Sequence, residues 1–277
     1  MERQLMSVRD KEIRQVAIGH HHQLARDFQS WYSDLEKSRF ASAFTYGRSK
    51  LDQMVDDLFR SLPKDASILD VGCGTGEHLK RAARLGLKPT GVEPAPGMLE
   101  AARENVPEAI LIKGVATELP FDDGQFDAVI MIEVLRYLHR SDVEIALREA
   151  YRVLRPGGFI LATLVNRWAL DGFYLFHRAR QLFKGSEFNE TNPYCLFFTP
   201  GQAEQLFRDV GFTQVRSEGR MLATLRMAYK LGTRVGAAAA STLEPLDDRV
   251  HRSRTVRRFA GHLVVIGQVP PTSAKPS

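Results

Sequence analysis

From about residue 65 to 165, short apolar runs alternate with stretches of helical periodicity, the pattern of strands joined by crossover helices in a parallel sheet. "SILDVG" predicts a first strand, and "EHLKRAARLG" a helix ended by Gly86. "KPTGVEPA" gives a second strand, "PGMLEAAREN" a helix, "AILIKGVA" a third strand and "FDAVIMIEV" a fourth. A helix over "SDVEIALREAYRVLRPGG" leads into a fifth strand at "FILATLV". Beyond it, "TPGQAEQLFRDVGF" reads as a helix closing at Gly211, and "TQVRSEG" and "HLVVIGQV" as strands. The pattern is therefore an α/β fold with seven strands and helices between them.

Two stretches break the alternation, 166–198 and 221–258. The first holds nine aromatics: Trp168, Phe173, Tyr174, Phe176, Phe183, Phe188, Tyr194, Phe197 and Phe198. With a helical N-terminal cap over residues 1–45, both insertions are expected to lie as lids over the carboxyl edge of the sheet, where open α/β sheets bind ligands. The body of the domain is 46–267, and the Pro/Ser-rich tail 268–277 is expected to be disordered.

Composition narrows the setting. No apolar run reaches the roughly 18 residues that a membrane span requires, and the charged start "MERQLMSVRDKEIRQ" lacks the core of a secretory signal, so a cytoplasmic protein is expected. Two cysteines, Cys73 and Cys195, make neither a disulfide framework nor a zinc site. The net charge of +5 is concentrated between Phe212 and Phe259, where ten Lys/Arg face four acids. Such a patch suits an anionic substrate, an anionic membrane surface or nucleic acid, or it is a solvated basic face.

The densest chemical signal is "LDVGCGTG". Glycines at a strand-to-helix turn let the chain bend sharply and let backbone N–H groups approach a ligand at an electropositive helix start. A dinucleotide fingerprint would be Gly-x-Gly-x-x-Gly, whereas Gly72, Gly74 and Gly76 bring the third glycine one residue early. With Asp70 ahead of them, an acid ending the second strand at Glu93, "KGVATELPFDDGQFDAVIMIEVLRYL" and "RVLRPGGF", the chain resembles the class I S-adenosylmethionine-dependent methyltransferases, nearest the group acting on small molecules, quinones and lipids. That resemblance covers about residues 45–165 plus the last two strands. It implies a Rossmann-like seven-stranded sheet, mostly parallel with the last strand antiparallel, helices on both faces and helical lid insertions.

The resemblance also implies roles. Gly72, Gly74 and Gly76 would line the methionine and ribose portion of S-adenosyl-L-methionine, with Asp70 beneath its amino group. Glu93 would accept both ribose hydroxyls, and Arg48, 22 residues before Asp70, would clamp the cofactor carboxylate. Pro94 and Met98 would pack on the adenine, and Met131 would face the methionine chain. Many relatives carry an Asp where this chain has Val115, which leaves the adenine to the backbone of Val115 and Ala116 and to the Thr117 hydroxyl. A general base is needed only where the acceptor loses a proton. Tyr137 and His177 are the candidates, ahead of His20, His21, His22 and His251. No metal is implied.

The expected reaction is methyl transfer to a small, partly apolar acceptor, a lipid, quinone, polyketide or lipid-linked sugar, with oxygen preferred. The alternative is a non-catalytic S-adenosylmethionine-binding protein of the same fold. Nucleic acid is a poor candidate partner, since the Asn/Asp-Pro-Pro-aromatic signature of base-amino methylation is replaced by "MIEVL". The segment "WALDGFYLFHRARQLFK", residues 168–184, fits a lid or a helix in an anionic membrane interface.

Overall fold

The computed structural model describes residues 39–169, 195–220 and 223–271, together with Gln15, Ile18, Gly19, Tyr174 and Ala179. Helix α1 (Ala43–Ser61) starts at a capping box in which Ser42 and Thr45 satisfy each other's backbone N–H groups. Then follow β1 (Ser67–Val71), α2 (Glu77–Arg84), β2 (Lys88–Glu93), α3 (Pro96–Asn105), β3 (Ile110–Lys113) and β4 (Phe126–Met131). A short 3₁₀ turn (Leu135–Tyr137) precedes α4 (Arg140–Val153), β5 (Leu154–Asn166), β6 (Phe197–Phe198), α5 (Pro200–Val210) and β7 (Thr213–Arg220). Helices α6 (Ala223–Leu231), α7 (Thr233–Val250) and α8 (Arg254–Phe259) fill the second insertion ahead of β8 (His262–Gln268).

The strands lie in the order β3-β2-β1-β4-β5-β8-β7. β8 alone on that path runs antiparallel to its neighbours β5 and β7. The expected seven strands gain an eighth, because the two-residue β6 pairs parallel with Val165 and Asn166 at the end of β5. A strand that short leaves no period in a sequence. The chain also stays on the sheet one residue past β8, where Val269 exchanges backbone hydrogen bonds with Gly157 and Gly158, so the tail begins later than the pattern suggested.

Alternation along the strands divides the apolar residues between two cores. Leu69, Val129 and Met131 face α4 and α5 with Val143, Leu147 and Phe207. Ile68, Ala128 and Ile130 face the other way, onto Leu51, Val55 and Phe59 of α1 and Leu79 of α2. Among the described residues, no helix is long and apolar enough to cross a membrane.

The second insertion docks on α1 through a small apolar cluster, Tyr46, Leu225 and Ala240, and through buried charge. Lys50, fully buried, donates to Glu244 at 2.7 Å and to both oxygens of Asp248 at 2.8 and 2.9 Å. The Tyr46 hydroxyl donates to Asp247 at 3.0 Å, and burial followed by the Asp247 charge raises its pKa. Several basic residues of the Phe212–Phe259 stretch are occupied in the same region: Arg220 with Asp248, Arg252 with Glu218 and Arg257 with Glu204. Arg258 stacks on Trp168 at 4.2 Å.

Replacing Lys50 by Met should leave Glu244 and Asp248 facing each other without their buried cation, at a cost of about 3 kcal/mol. Amide exchange should speed up in α6–α8 before the sheet opens. Unchanged protection there would show that the insertion is held by its apolar contacts alone.

Candidate functional site

A cavity of about 310 Å³ opens along the carboxyl ends of β3, β2, β1 and β4, a size suited to a small-molecule site. Following the sheet order, Val115, Ala116 and Thr117 line it beyond β3, and Glu93, Pro94 and Met98 beyond β2. The glycine turn after β1 contributes Gly72, Gly74 and Thr75. Arg48 and Phe44 enter from α1, and Glu133, Val134, Arg136, Tyr137 and Leu138 form the wall beyond β4. Ile18, within the predicted N-terminal cap, also lines it and packs on Ala95 and Met98.

The turn is built for close approach. Gly72 has φ +73°, and a Cβ there would lie 2.5 Å from Val134 Cγ2. Gly74 has φ +54° with nothing within 4 Å of an added Cβ, so its open side faces a place for ligand atoms. The Gly74 N–H donates to Glu93 Oε2 at 3.0 Å and the Ala95 N–H to Oε1 at 2.9 Å, tying the turn to the end of β2. Burial raises the Glu93 pKa to about 7 against these two donors, and the nearby Asp70 charge adds to the rise. Burial, then Asp70 and Glu93, also push up the Cys73 thiol.

Beneath the turn lies a polar cluster centred on the buried His78. Its Nε2 lies 3.2 Å from Asp52 Oδ1 and 3.1 Å from Arg48 Nη2, and its Nδ1 lies 3.7 Å from Asp70 Oδ2. Burial and the Arg48 charge oppose protonation of His78, but Asp52 and Asp70 outweigh them and raise its pKa. Burial likewise works against an ionised Asp52, yet His78, Arg48 and Arg81 hold it well below the usual carboxylate range. Arg48 is thereby anchored, donating from Nε to Asp52 at 3.0 Å while it lines the cavity.

Beyond β4, Glu133 takes φ +60°, a left-handed conformation uncommon for a residue with a side chain. It is held there from both sides. Its N–H donates to Thr163 Oγ1 at 2.6 Å, the Thr163 hydroxyl donates to Oε1 at 3.1 Å, and Arg136 Nη1 donates to Oε2 at 2.7 Å. Burial opposes the Arg136 charge, but Glu133 outweighs it and raises the guanidinium pKa. The guanidinium also lies 5.3 Å from the Tyr137 ring centroid.

Ten of the expected residues thus meet in one cavity: Arg48, Gly72, Gly74, Glu93, Pro94, Met98, Val115, Ala116, Thr117 and Tyr137. Three do not line it. Met131 shares the strand parity of Val129 and is buried in the core toward α4 and α5, and the residues after the strand, Ile132 and Glu133, line the cavity where Met131 was expected to. Gly76 caps α2 with φ +87° and admits α3, since a Cβ would lie 3.0 Å from Val106 Cγ2. Asp70 sits one layer below, against His78. His177 lies outside the described residues, as do His20, His21 and His22. His251 is engaged elsewhere, with Glu218 at 3.1 Å and the Asp248 carbonyl at 2.7 Å. Glu133 was missed, although an acid directly after an apolar strand is the same signal that marked Glu93. His78 and Arg136 left no comparable signal.

The fit to a nucleoside-bearing cofactor is chemical as well as spatial. Asp70 Oδ2 and Thr75 Oγ1 are buried with no hydrogen-bond partner among the described residues, and the Gly74 side of the turn is open. Among the described residues there is no cluster of His, Cys, Asp and Glu that could hold a metal ion.

The comparisons agree with this geometry. A family model described as a methyltransferase domain matches residues 69–162. The chain is 33% identical over 193 residues to the demethylmenaquinone methyltransferase of Symbiobacterium thermophilum, covering 60% of this chain and 75% of that protein. It is 31% identical over 176 residues to the ubiquinone biosynthesis O-methyltransferase of Azorhizobium caulinodans, covering 61% and 67%. The match spans 36% of an uncharacterized methyltransferase of Mycobacterium bovis and 81% of one of Synechocystis. The solved phosphoethanolamine N-methyltransferase 2 of Haemonchus contortus in complex with S-adenosyl-L-methionine shares the fold, with a TM-score of 0.55 at 18% identity over 80% of this chain and 53% of that one. The chain belongs to the class I S-adenosylmethionine-dependent methyltransferases, and S-adenosyl-L-methionine is its cofactor.

Gly72→Ala should cost about 1–3 kcal/mol, because the substitution combines a left-handed backbone with a clash against Val134. Chemical denaturation measures it. A variant as stable as the parent would mean that the turn relaxes freely.

Proposed function

We propose that the chain methylates an oxygen of a small, partly apolar acceptor of the quinone-precursor type. The observation that carries this reading is the asymmetry of the cavity. Its β3–β2–β1 side sets Glu93, Thr75 and Thr117 among glycines and the apolar Pro94, Met98, Val115 and Ala116, a lining matched to a nucleoside amino acid, while its β4 side joins the apolar Val134 and Leu138 to Glu133, Arg136 and Tyr137. An acceptor with an aromatic or prenylated body and one or two oxygens suits that wall. Relatives named for ubiquinone biosynthesis O-methylation and demethylmenaquinone methylation support the same class.

In this reading Glu93 accepts the ribose hydroxyls, Arg48 binds the carboxylate, and Pro94, Met98 and the Val115–Thr117 backbone hold the adenine. When bound, S-adenosylmethionine supplies a methyl group on a positively charged sulfur. The chain's own task is alignment in a dry pocket. Arg136 and Glu133 orient the acceptor oxygen, and Tyr137, in its phenolate form, takes up the proton that oxygen loses.

Two measurements test these assignments. Ribose hydroxyls donate to an ionised Glu93, and that group titrates near pH 7 in the free protein. Cofactor affinity should therefore fall by up to about tenfold per pH unit below that point and level off above it. Glu93→Gln should weaken binding and flatten the profile. A parent profile that is already flat would reject the ribose role. In the same titrations Arg48→Met should weaken S-adenosylmethionine about tenfold or more while sparing 5′-methylthioadenosine, which has no carboxylate. Equal losses would make Arg48 a structural residue.

For the acceptor, release of S-adenosylhomocysteine should be followed with short-chain prenylated catechols and with amines of similar size. Turnover of the catechols to an O-methyl product is the expected outcome. Turnover of amines alone would overturn the oxygen assignment.

A further inference from the structure

Helix α7 is unusual in where its charges lie. Of its three acids, Glu244 and Asp247 turn inward to Lys50 and Tyr46, and Asp248, its side chain 41% exposed, pairs with Lys50 and Arg220. Its outer face carries Val235, Ala238, Thr242 and Leu246 at helical spacing, all exposed, with Val235 at 49% and Leu246 at 48%. The cations Arg234 and Arg249 bracket that face. At the turn into α7, the end of α6 adds Met227 at 49% exposure, Lys230, and Leu231 at 80%. No Asp or Glu occurs anywhere between Glu218 and Glu244.

An outward helix face is ordinarily its charged face. Here the outward face is apolar and small, its edges are cationic, and its acids are used up in docking the helix to α1. That combination of an apolar stripe with flanking Lys/Arg is the composition of a helix lying in a lipid headgroup layer, and its charge is complementary to an anionic surface. A protein partner would have to match the same acid-free rim, and nothing in the rim offers the mixed charges that give such contacts specificity.

We propose that the α6–α7 hairpin is a peripheral docking surface for an anionic bilayer, with Leu231, Val235 and Leu246 entering the headgroup boundary and Lys230, Arg234 and Arg249 meeting lipid phosphates. The hairpin packs on the start of α1, the helix whose Phe44 lines the cavity and is 54% exposed. Helix α1 thus connects the docking surface to the cavity. The surface is separate from the cavity, so it stands or falls independently of the acceptor class.

The full chain should co-sediment with vesicles of equal phosphatidylcholine and phosphatidylglycerol at low salt, and bind phosphatidylcholine vesicles far more weakly. Salt near 0.5 M should release it, since screening then acts within about 4 Å. Lys230→Glu with Arg234→Glu should lower partitioning about thirtyfold or more, from roughly fivefold for each cation removed. Val235→Asp with Leu246→Asp should also release the protein. Both variants alter exposed residues outside the cavity, and unchanged cofactor affinity confirms that they are folded.

Absence of binding to the anionic vesicles would overturn the proposal, as would equal binding to neutral ones. Binding that persists in both variants would do the same and would move the contact to another segment, such as 168–184. A dimer that dissolves in Val235→Asp/Leu246→Asp, without vesicle binding by the parent, would assign the face to a second copy of the chain.

Discussion

The buried carboxylate of Glu93 is the interaction on which the site depends. It ends β2, accepts the Gly74 N–H from the turn after β1 and the Ala95 N–H from its own chain, and so ties two neighbouring strand ends together. Removing a carboxylate from water is costly, and two backbone donors only partly offset that cost, which leaves the group titrating near neutrality. The protein thereby keeps an under-satisfied acceptor beside the open side of Gly74. A ligand that brings hydroxyl donors completes what the fold leaves incomplete.

Helix α1 extends that site to the rest of the molecule. Arg48 points to the cavity and is braced by Asp52 and His78, while Lys50, two residues on, points away and holds the α6–α8 insertion through Glu244 and Asp248. One helix therefore links the polar floor of the cavity to the α6–α8 insertion. Residues two apart on a helix lie on different faces, and that geometry allows a single element to serve both attachments.

Charge is distributed by the same logic. The basic stretch after Phe212 looks like one patch when its residues are counted, but folding splits it. Arg220 and Arg257 are engaged in ion pairs with Asp248 and Glu204, whereas Arg234 and Arg249 are exposed. With Glu244 and Asp247 turned inward, the exposed charges that bracket the apolar face of α7 are Arg234 and Arg249.

The sequence alone determined the local geometry. Alternation of apolar residues placed the strands, because a half-buried or buried strand must show it. Gly72 and Gly74 marked the turn, because only glycine takes those backbone angles without strain, and Glu93 was legible as an acid at a strand end. The family followed from these few residues in order. Tertiary structure decided what local pattern cannot carry. Parity buries Met131 beside Val129, and Glu133, of the same parity but past the strand's end, reaches the cavity only through a left-handed backbone held by Thr163 and Arg136. The burial of Lys50 depends on acids about 200 residues away. His78 acquires its place only when α1, β1 and α2 bring Arg48, Asp52 and Asp70 around it. The outward face of α7 exists only because its acids found partners on another helix. Each is a contact between residues distant in sequence, and no period or motif within one segment encodes it.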